Sequence, residues 1–489
     1  MQIGSSANNK LIVGVLLAMP ILAILLLQEL SLVAMLGMLL IVTSAFVYQI
    51  NWSKYVGFAL IVSLFFSVEM PLFSGAAMSL PGEPLVVFLA AIGCYSLLNN
   101  FSADVADFKS QPLVWAVGSL ILVWVLTTVL STMAVVSTKY IAVNLVYILV
   151  AVYLFPKFYS SKEISLISIL RILSYASLFF AVYAIINLLP YRFNPGAAAE
   201  IALPFFKDHT IFSATLSLLI PTFLLWRFIV KSPEKKDWLQ PAVGMLLLVV
   251  LVISTSRAAW LSIIVAGGIF VFIKLNGGIK TILLFIVVSV SLVIWNWKSI
   301  ESQLLINPYT STSAEGGLQE QVLSVTNLSS DISNKERLNR WKSALRMASD
   351  KPFTGFGPGT YQFQYLPYQR ESEMTYISVT NPFNTIVGRG GSAHSEYLLL
   401  LSESGIFGLL AWIGVQVALI ISFLRIHRSR LSSQEKYLGL ALFLGCITFT
   451  VHSLFNNYLN TVQFGITWWL LVGGLLFLAI KARKEEHAG

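Results

Sequence analysis

The sequence predicts an all-α polytopic membrane protein, and three observations lead to this fold class. Of the 489 residues, 56% are hydrophobic and only 11% are charged, whereas a typical soluble domain carries about 25% charged residues. The mean hydropathy is +0.77. Apolar segments of membrane-spanning length recur along most of the chain, and they are too long and too uniformly apolar for barrel strands. Helices are therefore expected, because a helix pairs its backbone polar groups within one segment.

The apolar segments predict about fourteen membrane helices, within a range of about 12 to 14. Two of them, 55–69 and 84–98, are short enough to be re-entrant or to extend into the interface. In chain order, the predicted spans cover residues 11–28, 31–50, 55–69, 84–98, 112–132, 140–155, 165–189, 210–229, 240–254, 258–275, 279–296, 396–424, 435–455 and 462–481.

The net charge of +9 is interpreted as a topology signal and not as a nucleic-acid-binding surface. Lysines and arginines gather in loops that fall on one side when the spans alternate, so these loops and both termini are predicted to be cytoplasmic. The opposite side then holds 190–209, the junction at Arg257 and the one large hydrophilic segment, 297–395. A loop of that length is expected to be folded and functional.

Three regions follow from this topology. Residues 1–296 form an N-terminal transmembrane bundle, 297–395 form a large external loop with short helices, and 396–489 form C-terminal transmembrane helices with a cytoplasmic tail. The two cysteines, Cys94 and Cys446, both lie in apolar segments, which does not support a disulfide framework or a paired-cysteine metal site.

The external loop contains a clear helix signal between Ser333 and Pro352. Arg337 and Arg340 lie about one turn apart, where they can converge on one anion, although a solvated helix face is the plainer interpretation. The sequence "GFGPG" follows, and its glycines are expected to let the backbone approach a ligand closely. A buried apolar stripe is predicted for this helix, made of Leu338, Trp341, Leu345 and Ala348.

His394 stands at the start of the next apolar span, after "GRGGSA". A helix dipole there lowers the pKa of an imidazole, and a neutral imidazole is suited to act as a general base. The alternative is an interfacial or helix-capping histidine. Arg257 can likewise be a snorkelling interface residue. Possible supporting residues are His209, at another span start, and Glu396, at the same span start as His394.

These residues are more informative together than singly. Three arginines and a histidine fall on the same predicted face, and arginine is well suited to bind phosphate. The five histidines show no metal-ligand spacing, so no metal or cofactor is expected. The combination favours a transferase that binds a phosphate leaving group with arginines and deprotonates an acceptor with a histidine.

The ordered motifs "TSRAAWLS", "ERLNRWKSAL", "PFTGFGPGTYQF" and "AHSEYLLLLSESGIFGLLAW" resemble the bacterial O-antigen ligase and O-antigen polymerase superfamily, most firmly over 250–424. The resemblance implies a C-type membrane glycosyltransferase in the inner membrane. Such an enzyme moves a glycan from undecaprenyl diphosphate to an acceptor hydroxyl on the periplasmic face, without metal and with inversion. Carried over, Arg257 and Arg340 bind the diphosphate and His394 activates the hydroxyl. Arg337, His209 and Glu396 correspond more weakly.

The resemblance leaves the acceptor open. Ligation of O-antigen to lipid A-core is favoured because of the organised loop and the histidine motif. A polymerase that extends lipid-linked repeats, or a protein O-oligosaccharyltransferase, would share the chemistry. A lipid-linked oligosaccharide flippase is less favoured, because transporters carry charged or broken helices at the membrane midplane. The expected partners are thus the lipid-linked glycan donor, lipid A-core or a glycan acceptor, and membrane lipids, with no nucleic acid.

Overall fold

The computed structural model describes residues 52–71, 77–230, 238–275, 277, 332–374 and 391–488, and most of these residues are helical. The main helices are α1 (Trp52–Phe66), α2 (Gly82–Phe108), α3 (Pro112–Val129), α4 (Ala134–Ile148), α5 (Leu166–Leu188), α6 (His209–Leu224), α7 (Leu239–Ile253), α8 (Arg257–Lys274), α9 (Ile332–Asp350), α10 (Glu396–Arg428), α11 (Ser433–His452) and α12 (Val462–Ala488).

Several shorter elements join these helices. Helix α4 continues through a π-helical stretch, Leu149–Leu154, into the short helix Phe155–Ser160. Two more short helices are Trp226–Ile229 and Tyr361–Gln364. Single 3-10 segments cover Leu189–Tyr191, Pro195–Glu200, Leu366–Tyr368 and Glu371–Glu373. The strands of the described chain are β1 (Val68–Pro71) and β2 (Ala77–Leu80), which form one antiparallel hairpin with Val68 opposite Leu80.

Seven of the described helices are long and apolar enough to cross a membrane: α2, α3, α4 with its continuation, α5, α8, α10 and α12. Shorter apolar helices include α6 and α7. Apart from the small hairpin, the regular secondary structure of the described chain is helical, so the prediction of an all-α polytopic membrane protein is confirmed.

Helix α12 lies at the centre of the bundle. Within its most apolar region, 94% of the residues are buried, against 28% for α3 and 17% for α8. A helix that is apolar on all sides is expected to be surrounded by other helices. Its Trp468 and Trp469 are fully buried, and Trp468 packs against Trp412 of α10 with ring centroids 5.4 Å apart. Helices α3 and α8 therefore supply outward-facing apolar surface.

The predicted spans that fall on described residues coincide with helices, and most ends differ by a few residues, although α2 runs to Phe108 and α12 to Ala488, well past the predicted ends at 98 and 481. The spans predicted at 11–28, 31–50 and 279–296 lie outside the described residues. Helix α10 extends the predicted span at 396–424 to Arg428 and contains a kink at Gly405, where φ is 66° and ψ is −167°. Cys94 and Cys446 are both free, so they form no disulfide.

Candidate functional site

His394 lies immediately before Ser395, the residue that caps α10. Its backbone has φ 49°, a left-handed conformation that is uncommon for a residue other than glycine. Trp341 of α9 donates a hydrogen bond from Nε1 to the carbonyl oxygen of His394 over 3.1 Å. The imidazole is half-buried. Helix α9, which packs on α10, therefore holds the backbone of this histidine in place.

The pKa of His394 is lowered from 6.5 to about 4. Burial is the largest cause, followed by the positive charges of Arg337 and Arg340, while Glu336 and the hydrogen bond that the ring donates to Asn456 act in the opposite direction. The direction agrees with the sequence prediction, but burial and two arginines account for it without the helix dipole. The imidazole is neutral at pH 7, as a general base requires.

Asn456 and His452, which the sequence interpretation missed, lie behind His394. The side chain of Asn456 hydrogen-bonds His394, and its Nδ2 lies 3.0 Å from Nε2 of His452. Because an amide nitrogen only donates, His452 accepts through Nε2, and the amide oxygen of Asn456 remains to accept from the His394 ring. Asn456 is 3% exposed and His452 is fully buried. This arrangement fixes which ring nitrogen of His394 carries the proton.

Arg340 is buried, at 2% exposure, and two contacts hold its side chain. Its Nε donates to Oε1 of Glu336 over 2.7 Å, and its guanidinium lies 4.5 Å from the ring centroid of Tyr365. A Cβ added to Gly391 would lie 3.2 Å from Nη1, so the backbone leading to His394 passes beside this arginine. Nη1 is buried and donates to no protein partner among the described residues. The guanidinium thus has one fixed edge and one available donor.

Arg337 is half-buried, and its positive charge acts on several groups from different helices. These groups are His394, His209, His452 and Tyr458. Arg337 is therefore the cation that lies among most of the titratable side chains of this region. The sequence alone gave it a weaker role than Arg340.

His209 is the first residue of α6. The carboxylate of Asp208 caps this helix by accepting from the backbone N–H of Thr210 over 2.7 Å, and it lies 3.3 Å from Nδ1 of His209. The hydroxyls of Thr210 and Tyr458 are hydrogen-bonded to each other. Tyr458 in turn packs on His452, with ring centroids 5.6 Å apart. A chain of contacts therefore joins the start of α6 to the residues behind His394.

Arg257 is the first residue of α8 and is half-buried. The turn before it contains Thr255 at φ 56°. In the same turn, Oγ of Ser254 lies 2.7 Å from Oγ of Ser213, which lies 2.6 Å from the carbonyl oxygen of His209. Arg257 is therefore at the same end of the bundle as His209. The described contacts that lead from the turn before Arg257 toward the surroundings of His394 run through Ser213 and His209 of α6.

Glu396 lies in the first turn of α10 and is 1% exposed. Its backbone N–H donates to the carbonyl oxygen of Ser453 over 2.8 Å. Its charge acts on Tyr140, the charge of Glu403 acts on it, and Oε2 is buried with no hydrogen-bond partner in the described chain. The carboxylate is thus turned toward the α4 side of the bundle.

The "GFGPG" turn does not have the expected open backbone. The backbone N–H groups of Gly359 and Tyr361 donate to Oε2 and Oε1 of Glu403 over 2.8 and 2.9 Å. A Cβ on Gly355 would lie 2.2 Å from the carbonyl carbon of Glu403. The glycines allow the turn to pack on the kinked part of α10. The prediction of a ligand-approaching turn was therefore wrong for these residues.

The apolar stripe predicted for α9 was also wrong in part. Leu338 and Leu345 are 41% and 48% exposed, whereas Ala344 and Met347 are fully buried. The buried face of α9 carries polar residues as well, namely Glu336, Asn339, Arg340 and Ser343. This helix therefore covers a polar region and not only a hydrophobic core.

A comparison with known families gives one match. A model of the O-antigen ligase family matches residues 242–413, a segment that contains Arg257, Arg337, Arg340, His394 and Glu396. His209, His452 and Asn456 lie outside the matched segment. No curated protein matches the chain.

Proposed function

Since residues 242–413 match the O-antigen ligase family, we propose that the protein is a glycosyltransferase that moves a glycan from undecaprenyl diphosphate to an acceptor hydroxyl. We infer that the acceptor is lipid A-core and that the site faces the periplasm from the inner membrane. The family supports the broader activity, which ligases and polymerases share. One observation carries the proposal: a half-buried, neutral histidine beside two arginines at the end of a membrane bundle.

The arginines are suited to bind the donor. As the bond between the anomeric carbon and the phosphate oxygen breaks, negative charge develops on the leaving diphosphate. Arg340 has an available Nη1 and Arg337 carries a charge that reaches His394 and His209. Arg257 reaches the same end of the bundle from α8. Pre-placed guanidinium groups in a water-poor region stabilise this charge without reorganisation.

His394 then acts as the general base. Its ring nitrogen removes the proton from the acceptor hydroxyl while the hydroxyl oxygen attacks the anomeric carbon from the face opposite the diphosphate. The glycosidic bond forms, the bond to the phosphate oxygen breaks with inversion, and undecaprenyl diphosphate leaves. Asn456 keeps the second ring nitrogen protonated, so the lone pair faces the acceptor.

Donor binding strengthens this base. The two arginines that lower the pKa of His394 are the residues proposed to bind the diphosphate. The negative charge of the diphosphate offsets their positive charge, and the pKa of His394 therefore rises when the donor is bound. The histidine becomes a better base at the stage of the reaction in which it is needed.

The experiment that tests this function uses the purified full-length protein in lipid nanodiscs. The donor is an undecaprenyl diphosphate glycan, and the acceptor is either lipid A-core, a second lipid-linked repeat or a peptide hydroxyl. Product on lipid A-core supports ligation, and chain extension or a glycopeptide identifies the polymerase or protein-transferase alternative. Glycan movement across the bilayer without any transfer product would contradict the proposal and favour a flippase.

Arg257→Ala and Arg340→Ala provide a second test. Each is expected to raise the donor KM by about 10- to 100-fold, because a charge-assisted contact to phosphate is lost. The KM for lipid A-core is expected to change little. Wild-type donor kinetics in both variants would contradict the proposed diphosphate site.

A further inference from the structure

Glu403 is a buried carboxylate in the membrane helix α10, with 2% exposure. Its carboxylate oxygens bind backbone N–H groups, one from Gly359 and one from Tyr361. A buried carboxylate is costly unless it is well hydrogen-bonded. The two amide donors explain how the fold tolerates it, and they also show that its binding partner is the turn after α9.

Other contacts hold the same turn. The backbone N–H of Gly357 donates to the carbonyl oxygen of Glu403 over 2.8 Å, and Phe356 donates to Ser402 over 3.1 Å. On the other side, the hydroxyl of Thr132 donates to the carbonyl oxygen of Phe356 over 2.8 Å. The turn is therefore fixed between α10 and the corner that joins α3 to α4.

The turn connects Glu403 to Arg340 through one side chain. The hydroxyl of Tyr361, whose backbone is bound by Glu403, donates to the carbonyl oxygen of Arg340 over 2.9 Å. The ring of Tyr361 stacks on Tyr365 with centroids 5.2 Å apart and planes 9° apart. Tyr365 is the ring against which the Arg340 guanidinium lies. The backbone of Arg340 thus rests on Tyr361, which Glu403 holds, and its guanidinium rests on Tyr365, which stacks on Tyr361.

We propose that Glu403 is a positioning residue that sets the location of Arg340 relative to the membrane, acting through the Gly359–Tyr361 backbone and the Tyr361 hydroxyl. This inference rests on the proposed function, because it assigns Arg340 to donor binding. Glu403 reaches no reacting atom in this scheme. It makes the height of the donor-binding arginine depend on a residue inside a membrane helix.

The test compares three variants in the full-length protein. Glu403→Gln retains one acceptor oxygen but turns a donor nitrogen toward one amide, so one hydrogen bond is lost. Tyr361→Phe removes only the contact to Arg340. Tyr368→Phe is the matched control, because it removes a tyrosine hydrogen bond of 2.6 Å to Asp350 at the far end of α9. Donor KM, acceptor KM, thermal stability and amide hydrogen exchange at Gly359 and Tyr361 are measured.

Glu403→Gln and Tyr361→Phe are each expected to raise the donor KM by about fivefold to tenfold, with the acceptor KM unchanged. In an Arg340→Ala background, Tyr361→Phe is expected to cause no further rise in the donor KM, because the guanidinium that the Tyr361 contact positions is already absent. Tyr368→Phe should retain the wild-type donor KM. Equal effects of Tyr361→Phe and Tyr368→Phe, or additive effects with Arg340→Ala, would overturn the inference.

Hydrogen exchange separates this inference from the proposed function. Glu403→Gln is expected to accelerate exchange at the Gly359 and Tyr361 amides by about tenfold, whether or not the protein transfers a glycan. Absence of transfer by the wild-type protein with accelerated exchange in the variant would refute the function and retain the link. Unchanged exchange at both amides would refute the link itself.

Discussion

Two glycine-containing segments pack near the start of α10, and their backbones are paired to very different extents. In 355–359, four of five residues are buried, and Glu403 and its neighbours bind the backbone amides. In 391–394, Gly391 is exposed, His394 is half-buried, and the described bonds are those from Trp341 to His394 and from the His394 amide to Ser392. The first segment is closed by the fold, whereas the second leaves its functional side chain accessible.

The comparison shows that glycine content does not identify a ligand-binding loop. Both segments contain glycine in the sequence, three in "GFGPG" and one in "GSAH", and the difference in their pairing comes from what packs against them. Glu403, which is distant in the chain, accepts hydrogen bonds from backbone amides of the first segment. Arg340, which has an available Nη1, lies beside the second segment. Substitutions in the first segment should therefore affect folding, and those in the second should affect chemistry.

The largest effect is expected at the accessible segment. His394→Ala should reduce the transfer rate by about 10²- to 10⁴-fold, because the acceptor hydroxyl loses its general base. The folded yield should stay near the wild-type level. Single-turnover transfer with saturating donor measures the rate, and His487→Ala, in the exposed C-terminal end of α12, is the control. Near wild-type turnover in His394→Ala would contradict the assignment of the general base to segment 391–394.

A glycine pair contrasts the two segments directly. Gly355→Ala introduces a Cβ 2.2 Å from the Glu403 backbone at a residue with φ 61°, so it should destabilise the fold by about 3 kcal/mol or more. Gly391→Ala places its Cβ 3.2 Å from Nη1 of Arg340. It should change stability by about 0.5 kcal/mol or less and raise the donor KM several-fold. Thermal unfolding and donor titration distinguish the two variants. Similar losses of Tm in both would contradict the claim that the first segment matters more for folding than the second.

Asn456→Leu is expected to have an intermediate effect. The substitution retains the branched shape of the side chain but removes the oxygen that accepts from His394 and the nitrogen that donates to His452, so the imidazole of His394 no longer has a fixed tautomer. The turnover number should fall about tenfold while the donor KM stays constant. Asn457→Leu is the neighbouring control. A change confined to the donor KM would argue against the orienting role of Asn456.

The smallest effect concerns pH. Four groups face His394: Arg337 and Arg340 lower its pKa, and Glu336 and Asn456 raise it, with a result of about 4. The base form therefore persists on acidification until that pKa is approached, and kcat/KM for the donor should fall only below about pH 5. Arg340→Ala removes one opposing positive charge, so its acidic limb should lie at higher pH. Coincident limbs would exclude coupling between the two residues.

The same pKa affects stability in a defined direction. The unfolded histidine binds a proton below its ordinary pKa of 6.5, whereas the folded one does so only near 4. Between these values the unfolded state carries more protons, and the contribution of His394 to stability is lost as the pH falls from 6.5 to 4.

The sequence predicts the spans well because hydropathy along a helix is a local property. Each predicted span that falls on described residues coincides with a helix, including the span at 396–424, which corresponds to α10. The kink at Gly405 was not predicted, since it depends on Pro352 and Phe353, whose carbonyl oxygens occupy the space of a Cβ. A contact between segments that are distant in the chain produces no periodic pattern in the sequence, so hydropathy cannot predict it.

The candidate site was predictable only in part for the same reason. Arg337 and Arg340 were singled out because they lie about one turn apart on a predicted helix, and His394 because it stands at the start of an apolar span. Asn456 and His452 lie about sixty residues after His394 and are buried, so only the polar "HSLFNN" at the end of a span hinted at them. The buried polar face of α9 was missed because a 3.6-residue stripe was assumed to be apolar.

The left-handed backbone of His394 has a consequence for directed evolution. A non-glycine residue at φ 49° costs about 1 kcal/mol relative to glycine. Selection for thermal stability alone should therefore enrich His394→Gly, which relaxes this backbone and removes the proposed base in one substitution. A library screened without an activity assay would become enriched in stable but inactive proteins that carry this substitution. Stability and catalysis therefore favour different residues at position 394.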